Sequence, residues 1–446
     1  MDMNLFTDLL LQKAKEAGID PAEVYYNAAD SFRAGAREGE IESYQVSTSA
    51  GLSLRGSVGG KMGYASTQAF DEDAITQLIQ GVKESAALVE SAEQDEIFEG
   101  EESYPVLPES DSDLEGISAE EKLNLCLEID KKTKAGDPRI AQVQRAMVAT
   151  AKGTLLLKNS YGLNLKDEGS TASAMVSCIS RDEGASEIGF GFAVGNRFDS
   201  LDADKIAADA VKMATERLHS TSLPTGEYRV IFNHEAMSDL LGVFCSVFSA
   251  DRAQQNLSLL AGKEGQTIAS DVVTIMDDPL LPGGRSTSTF DAEGTASRTK
   301  AIVDKGVLTT LLHNRKTARK QGVASTGNAV RAGYTSPVAV GPTNFFIKPG
   351  EKTLDELIAQ VENGVVIEDL GGLHAGANAA SGDFSLIAKG YTVKDGQRDH
   401  AVSQITVAGN FYQLLKNIRC VANDIIFSNS VCSPSVDAGV LKLSGQ

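Results

Sequence analysis

The chain has 446 residues, with 61 acidic against 41 basic side chains and a formal net charge of −20. That length suits two or three domains with ample core, and so acidic a surface repels phosphate backbones, so direct nucleic-acid binding is not expected. The five cysteines, Cys126, Cys178, Cys245, Cys420 and Cys432, are odd in number and form no CxxC pair, which points to free thiols in a reducing compartment, the cytoplasm.

The first stretch, MDMNLFTDLLLQKAKEAG, alternates charged and apolar residues at helical spacing. It reads as an amphipathic helix and offers no apolar run for a signal peptide or membrane span. Alternating runs such as Ser43 to Ser49 and Leu52 to Val58, separated by Gly-rich turns, predict antiparallel hairpins.

An internal echo then appears. The segment from Tyr64, YASTQAFDEDAITQLIQGVKESA, matches the one from Phe192, FAVGNRFDSLDADKIAADAVKMATE, as strand, turn and helix. Phe70-Asp71 and Phe198-Asp199 close the two strands, with acidic residues near each helix start where the dipole favours them. Ile75, Leu78, Ile79 and Val82 in one helix, and Ile206, Ala210, Met213 and Leu218 in the other, fall at core-facing spacings.

Between the copies lies an acidic, proline-bearing bridge from about Ser91 to Gly116, expected to run over the surface. A helix from about Ser118 to Lys134 opens with SAEE, a capping-box signature. Beyond Pro224 the texture changes to helices over roughly Asn233 to Gly262 and then to short strands. Hairpin turns are expected at Asp304-Lys305-Gly306 and Asp395-Gly396.

The expected fold is therefore α+β, with duplicated N-terminal β-hairpin/helix units followed by a largely antiparallel β domain that has a helix pair at its start. The division is 1–90 for an N-terminal α/β unit, 91–117 for the acidic linker, 118–222 for a second α/β unit and 223–446 for the C-terminal domain.

The chemistry-bearing motif is YRVIFNHEAMSDLL, from Tyr228 to Leu241, in which a strand runs into a helix opened by His234-Glu235. Zinc peptidases bind metal through neutral imidazoles and keep a glutamate beside the metal-bound water. The usual zinc helix spaces two histidines four apart, but here Ser238 stands at i+4 and Asp239 at i+5. Asp239 lies about 140° around an ideal helix from His234, so a shared ion needs a kink or a π-bulge. The other reading is that Asn233 or His234 caps the helix while Glu235 complements its dipole.

Remaining motifs add little chemistry. GFGFAVG, from Gly189 to Gly195, reads as strand, not as a phosphate loop, and there is no Gly-x-Ser-x-Gly elbow. The basic run from Arg315 to Lys320 reads as a solvated helix face. Ordinary turn or surface roles suffice for His219, His313 and His400, whereas His374 sits in a Gly-rich segment suited to lining a cavity.

The order of motifs resembles the TldD/PmbA family. The resemblance runs through most of the chain and is most specific in three segments: Phe290 to Arg331; PTNFFIKPG, from Pro342 to Gly350; and Gly382 to Ile425, which contains GDFSLIAKGYTVKDG and VSQITVAGN. Members of the TldD type look like zinc peptidases in which an HExxxH helix and a C-terminal cysteine hold the metal and the glutamate is the general base. Carried over, His234 matches the first histidine, Glu235 the catalytic glutamate and Cys432 the cysteine, while Asp239 stands in place of the second histidine.

PmbA/TldE-type members lack the full ligand set and pair with a TldD-type subunit around a chamber where unstructured peptides are cut, and this chain resembles them more. The resemblance implies a cytoplasmic subunit of a two-component metallopeptidase. Its partner would be a TldD-like chain or a second copy of itself, with zinc in the partner and none in this chain, and without nucleic acid or membrane. Two alternatives stand beside it: an autonomous homodimeric metallopeptidase using His234, Glu235, Asp239 and Cys432, and a non-catalytic regulator of the DNA-gyrase-modulator type. VSQITVAGN and PTNFFIKPG are candidate strands for peptide capture by strand addition, although ordinary positions within a sheet account for both stretches better.

Overall fold

The structure is a computed structural model that describes residues 3–90, 96–108 and 111–445. The parts of the acidic bridge at 91–95 and 109–110 lie outside the described residues.

The N-terminal half is one six-stranded antiparallel sheet made by two similar units. The first runs through α1 (Met3–Glu16), β1 (Ala22–Arg37), β2 (Glu40–Val58), β3 (Lys61–Thr67) and α2 (Glu72–Ala87). The second runs through α3 (Ala119–Ala135), β4 (Ile140–Asn159), β5 (Asn164–Asp182), β6 (Ala185–Gly195) and α4 (Ala203–Glu216). The strand order is β3-β2-β1-β4-β5-β6, so the units join through β1 and β4, and β3 and β6 form the edges.

In both units the closing helix packs on the edge strand at glycines. A Cβ at Gly63 would lie 2.0 Å from Val82 O, and one at Gly191 would lie 1.9 Å from Ile206 O. Phe6, Leu54, Leu78 and Val82 fill the first core, and Cys126, Ile129, Val176 and Ile206 fill the second.

The local signals explain these elements. Asp71 caps α2 by accepting from Ala74 N, and Ser118 with Glu121 forms the capping box of α3. In the second copy the cap is Asp202, because Phe198–Ser200 is taken up by a 3-10 turn.

The structure differs from the sequence pattern in two places. The runs at residues 43–49 and 52–58 form one continuous strand, since Ala50 and Gly51 stay paired with Ala28 and Asn27 of β1. Gly51 is needed for close approach instead: a Cβ there would sit 2.2 Å from the Tyr334 ring. The bridge is also less superficial than its charge implies, for Ile97 is buried and Tyr104 donates to Gly294 O at 2.8 Å.

The C-terminal half begins with β7 (Gly226–Phe232) and α5 (His234–Phe244). β7 lies parallel to the Gly364–Gly371 strand and antiparallel to Val436–Ser444. Asp383–Lys394 and Gln397–Asn410 continue the sheet, and pairing of Thr406 to Ala408 with Lys442 to Ser444 closes it into a ring. A second sheet runs Val307–Leu308, Lys300–Asp304, Ile275–Asp277, Phe345–Ile347 and Val431–Cys432. Phe244 of α5 stacks on Phe411, with centroids 4.6 Å apart, inside the core these elements share.

The expected long helical region is shorter. After Phe244 the chain tightens into a 3-10 turn at Cys245–Phe248 and ends at Ala250–Gln254. Asn256 and Gly262 then adopt left-handed conformations that stop helix propagation. VSQITVAGN and PTNFFIKPG also fall inside their sheets: residues 406–408 are paired on both edges, as are Phe345 and Phe346. Neither stretch offers a free edge there for an added strand.

Candidate functional site

The apolar end of β7, Val230, Ile231 and Phe232, is fully buried and delivers the chain to the start of α5. Asn233 caps that helix, its Oδ1 accepting from Ala236 N at 2.8 Å. One face of α5 buries Ala236, Met237, Leu240, Leu241 and Phe244, roughly 1.5–3 kcal/mol for each large side chain. The opposite face presents His234, Glu235, Ser238 and Asp239 to a cavity of about 1260 Å³.

The cavity lies between the two halves of the chain. β6 contributes Phe190 and Phe192, half-exposed at 50% and 53%, and α4 contributes Lys212 and its C-cap Arg217. From the C-terminal half come Glu368, Asp369, His374, Arg398 and Asn429. Arg217 is buried and ion-paired with Asp369 at 3.1 Å and Glu368 at 3.5 Å, which ties α4 to the wall beneath Glu235. Arg398 pairs with Glu216 at 3.0 Å and lies 4.1 Å above the Tyr391 ring.

Glu235 and Asp239 are exposed where they open onto the cavity, with the rest of α5 packed behind them. Burial raises the pKa of Glu235, against smaller opposing pulls from His234 and Arg217. Burial also raises that of Asp239, reinforced by the negative charges of Asp369 and Glu235. His234 Nδ1 stands 3.8 Å from Asp424 Oδ2, and Asp424 is itself held by the backbone N–H and hydroxyl of Ser435.

Cys432 is placed differently. Its strand packs against α5 and its neighbour Val431 lines the cavity, but the Cys432 side chain is 1% exposed and its thiol donates to Asn429 O at 3.2 Å. Burial raises the thiol pKa. The fold thus gathers His234, Glu235 and Asp239 on one wall and brings the Cys432 backbone beside them, with the sulfur turned to a carbonyl.

α5 is α-helical from His234 through Phe244 with no π-turn, so on regular helix geometry His234 and Asp239 project about 140° apart. Among the described residues no group of three or more His, Cys, Asp or Glu side chains is arranged to hold a metal ion. As placed, these donors do not fit a zinc ion, which takes three protein ligands and an open position at a catalytic centre.

Several cavity residues were not singled out in the sequence. Glu368 and Asp369 carried a usable signal, two adjacent acids at the end of the apolar run GVVI. Arg217 carried none, since its partner stands 152 positions away. His374 lines the cavity as its Gly-rich setting suggested, whereas His313 is buried beside Thr317 as a structural residue.

Three family models tile the sequence: the PmbA/TldA metallopeptidase domain 1 over residues 22–86, the central domain over 112–218 and the C-terminal domain over 225–445. The chain belongs to the PmbA/TldD family. It is 26% identical to the metalloprotease PmbA of Escherichia coli O157:H7, over 96% of this chain and 93% of that protein. A crystal structure from Thermotoga maritima MSB8, described as a candidate modulator of a DNA gyrase, superposes with a TM-score of 0.92 at 31% identity. That match covers 99% of this chain and all of that one. TldE from Thermococcus kodakarensis shares the fold at 22% identity, with a TM-score of 0.90 over 99% of this chain and all of that one.

The family's metallopeptidase character and the mixed α+β architecture, with an antiparallel C-terminal region, agree with the sequence reading. Among the described residues no helix is long and apolar enough to cross a membrane.

Proposed function

We propose that this chain is a PmbA/TldE-like subunit of a cytoplasmic two-component metallopeptidase acting on unstructured peptides, and that it supplies cavity wall and peptide-holding surface rather than the metal. The observation that carries this reading is the regular α5 helix, which keeps Asp239 out of line with His234 while Cys432 faces Asn429. The partner is a TldD-like chain with a complete ligand set. Zinc held by that chain's ligands would supply Lewis-acid chemistry and an activated water.

In this reading the peptide lies along β6. Among the described residues that strand pairs only with β5, which leaves its other edge open beside the cavity. The Phe190 backbone N–H points to that side, where it meets Met213 Sδ at 3.4 Å. Main-chain hydrogen bonds to an added strand give affinity with little sequence demand, and Phe190 and Phe192 offer apolar contact.

A second reading, the autonomous homodimeric peptidase, draws support from His234, Glu235 and Asp239 sharing one cavity wall. Cleavage of a quenched fluorescent, unstructured peptide separates the two. The subunit reading expects background cleavage by this chain alone and turnover once a TldD-like chain is added. Turnover by this chain alone that disappears in Glu235→Gln establishes the autonomous enzyme instead.

A further inference from the structure

A second cavity, of about 590 Å³, opens on the helix face of the N-terminal sheet. It is bounded by the Glu38-Gly39 turn between β1 and β2, by Leu127, Asp130 and Lys134 of α3, and by the start of β4 at Ala141 and Val143. Both turn residues are left-handed, with φ of 54° and 83°, and the turn is held to α3 by Gly39 N donating to Asp130 Oδ2 at 2.8 Å.

Asp130 is the unusual group. It is 2% exposed, and its other oxygen, Oδ1, is buried without a hydrogen-bond partner. Neither Lys134 nor Lys132 bonds it. Lys134 Nζ donates to the carbonyls of Ile140 and Ala141 at 2.7 and 2.8 Å, and Lys132 pairs with Glu128 and Asp204. An orphaned buried acceptor is costly, and more so when it is charged.

We propose that this cavity is a binding site for a small primary amine with an apolar body, whose ammonium bonds Asp130 Oδ1. An ammonium brings both the missing donor and the missing counter-charge, whereas a neutral hydroxyl brings only a donor. Leu127 and Val143 receive the apolar part. Lys131 and Lys134 also line the cavity, and their positive charge opposes any cation there, a diamine more than a monoamine. Because Oδ1 is sealed from solvent, entry requires a small shift of the Glu38-Gly39 turn.

The test is calorimetric titration of the full chain with benzylamine, using benzyl alcohol as the uncharged match. The expected result is saturable one-to-one binding of benzylamine in the millimolar range. Asp130→Asn should weaken it by about tenfold or more, the loss of one charge-assisted hydrogen bond, and benzyl alcohol should be weaker by a similar factor. Ala141→Trp, which fills the cavity from its β4 side and leaves Asp130 in place, should abolish binding even if the Asp130 variant folds poorly. Absence of saturable binding, equal binding of the alcohol, or binding that survives Ala141→Trp overturns the proposal.

Discussion

Ser433 donates its backbone N–H to Ser238 Oγ at 2.8 Å, and Ser238 in turn donates to the His234 carbonyl. This relay spans 195 positions and fixes the segment after Cys432 against the first turns of α5. Removing the hydroxyl in Ser238→Ala leaves the Ser433 N–H without that acceptor in a partly buried place, at a cost of about 1–3 kcal/mol. Denaturant unfolding should show a lower midpoint with an unchanged slope; an unaltered midpoint would mean that water replaces the hydroxyl freely.

Between the two halves, burial pushes the Asp291 carboxyl up to about 6 and that of Glu293 to about 7, with the Asp291 charge adding to the effect on Glu293. Carboxyl groups whose folded pKa is raised contribute stability that is fully present below their unfolded pKa, near 4, and lost as pH rises through the folded value. Stability from this pair should therefore fall between about pH 4 and pH 7. His313, whose pKa burial lowers, works in the opposite sense as pH rises toward its ordinary value. Comparing wild type with Glu293→Gln isolates the pair. The variant should gain melting temperature relative to wild type at pH 8 and lose that advantage at pH 5, and a difference independent of pH would contradict the assignment.

Gly191 touches α4 so closely that any side chain must displace the helix, a Cβ falling 1.9 Å from Ile206 O. Gly191→Val should destabilise the protein by at least about 1–3 kcal/mol, the usual range for overpacking. Hydrogen exchange should report loss of protection in α4 before the C-terminal half, while uniform protection would show that the sheet absorbs the strain.

Phe190 and Phe192 are half-exposed and add little to the fold, so their joint replacement by serine should leave the melting temperature nearly unchanged. Peptide affinity of the assembled peptidase should nevertheless fall about tenfold or more, as expected when an apolar contact of one or two aromatic rings is lost. Unchanged KM for an apolar peptide would remove β6 from the proposed binding surface.

Much of the architecture was legible because it depends on local chemistry. The strand GFGFAVG, the caps at Asn233 and Ser118, and the turns at 304–306 and 395–396 follow from side-chain alternation, short polar caps and glycine-containing turns. Which strands have free edges was not legible, because VSQITVAGN and β6 look alike in period, and only pairing with residues 442–444 occupies the edge of the former. Residue pattern alone divides the long strand at Gly51 into two runs, because the reason for that glycine, the Tyr334 ring, lies nearly three hundred positions away. In the site, His234, Glu235 and Asp239 share one helix and could be related by helical geometry. Arg217 with Asp369, and Ser238 with Ser433, are tertiary pairs that no local pattern encodes.

A subunit that carries cavity wall and not catalytic metal differs from an autonomous peptidase first in its metal content. The direct measurement is zinc and other metals per chain by elemental mass spectrometry, on tag-free protein purified alone without chelator. A wall-forming subunit should hold far below one metal per chain, unchanged in His234→Ala. One metal per chain, lost in that variant, would contradict that reading and place the catalytic centre in this cavity.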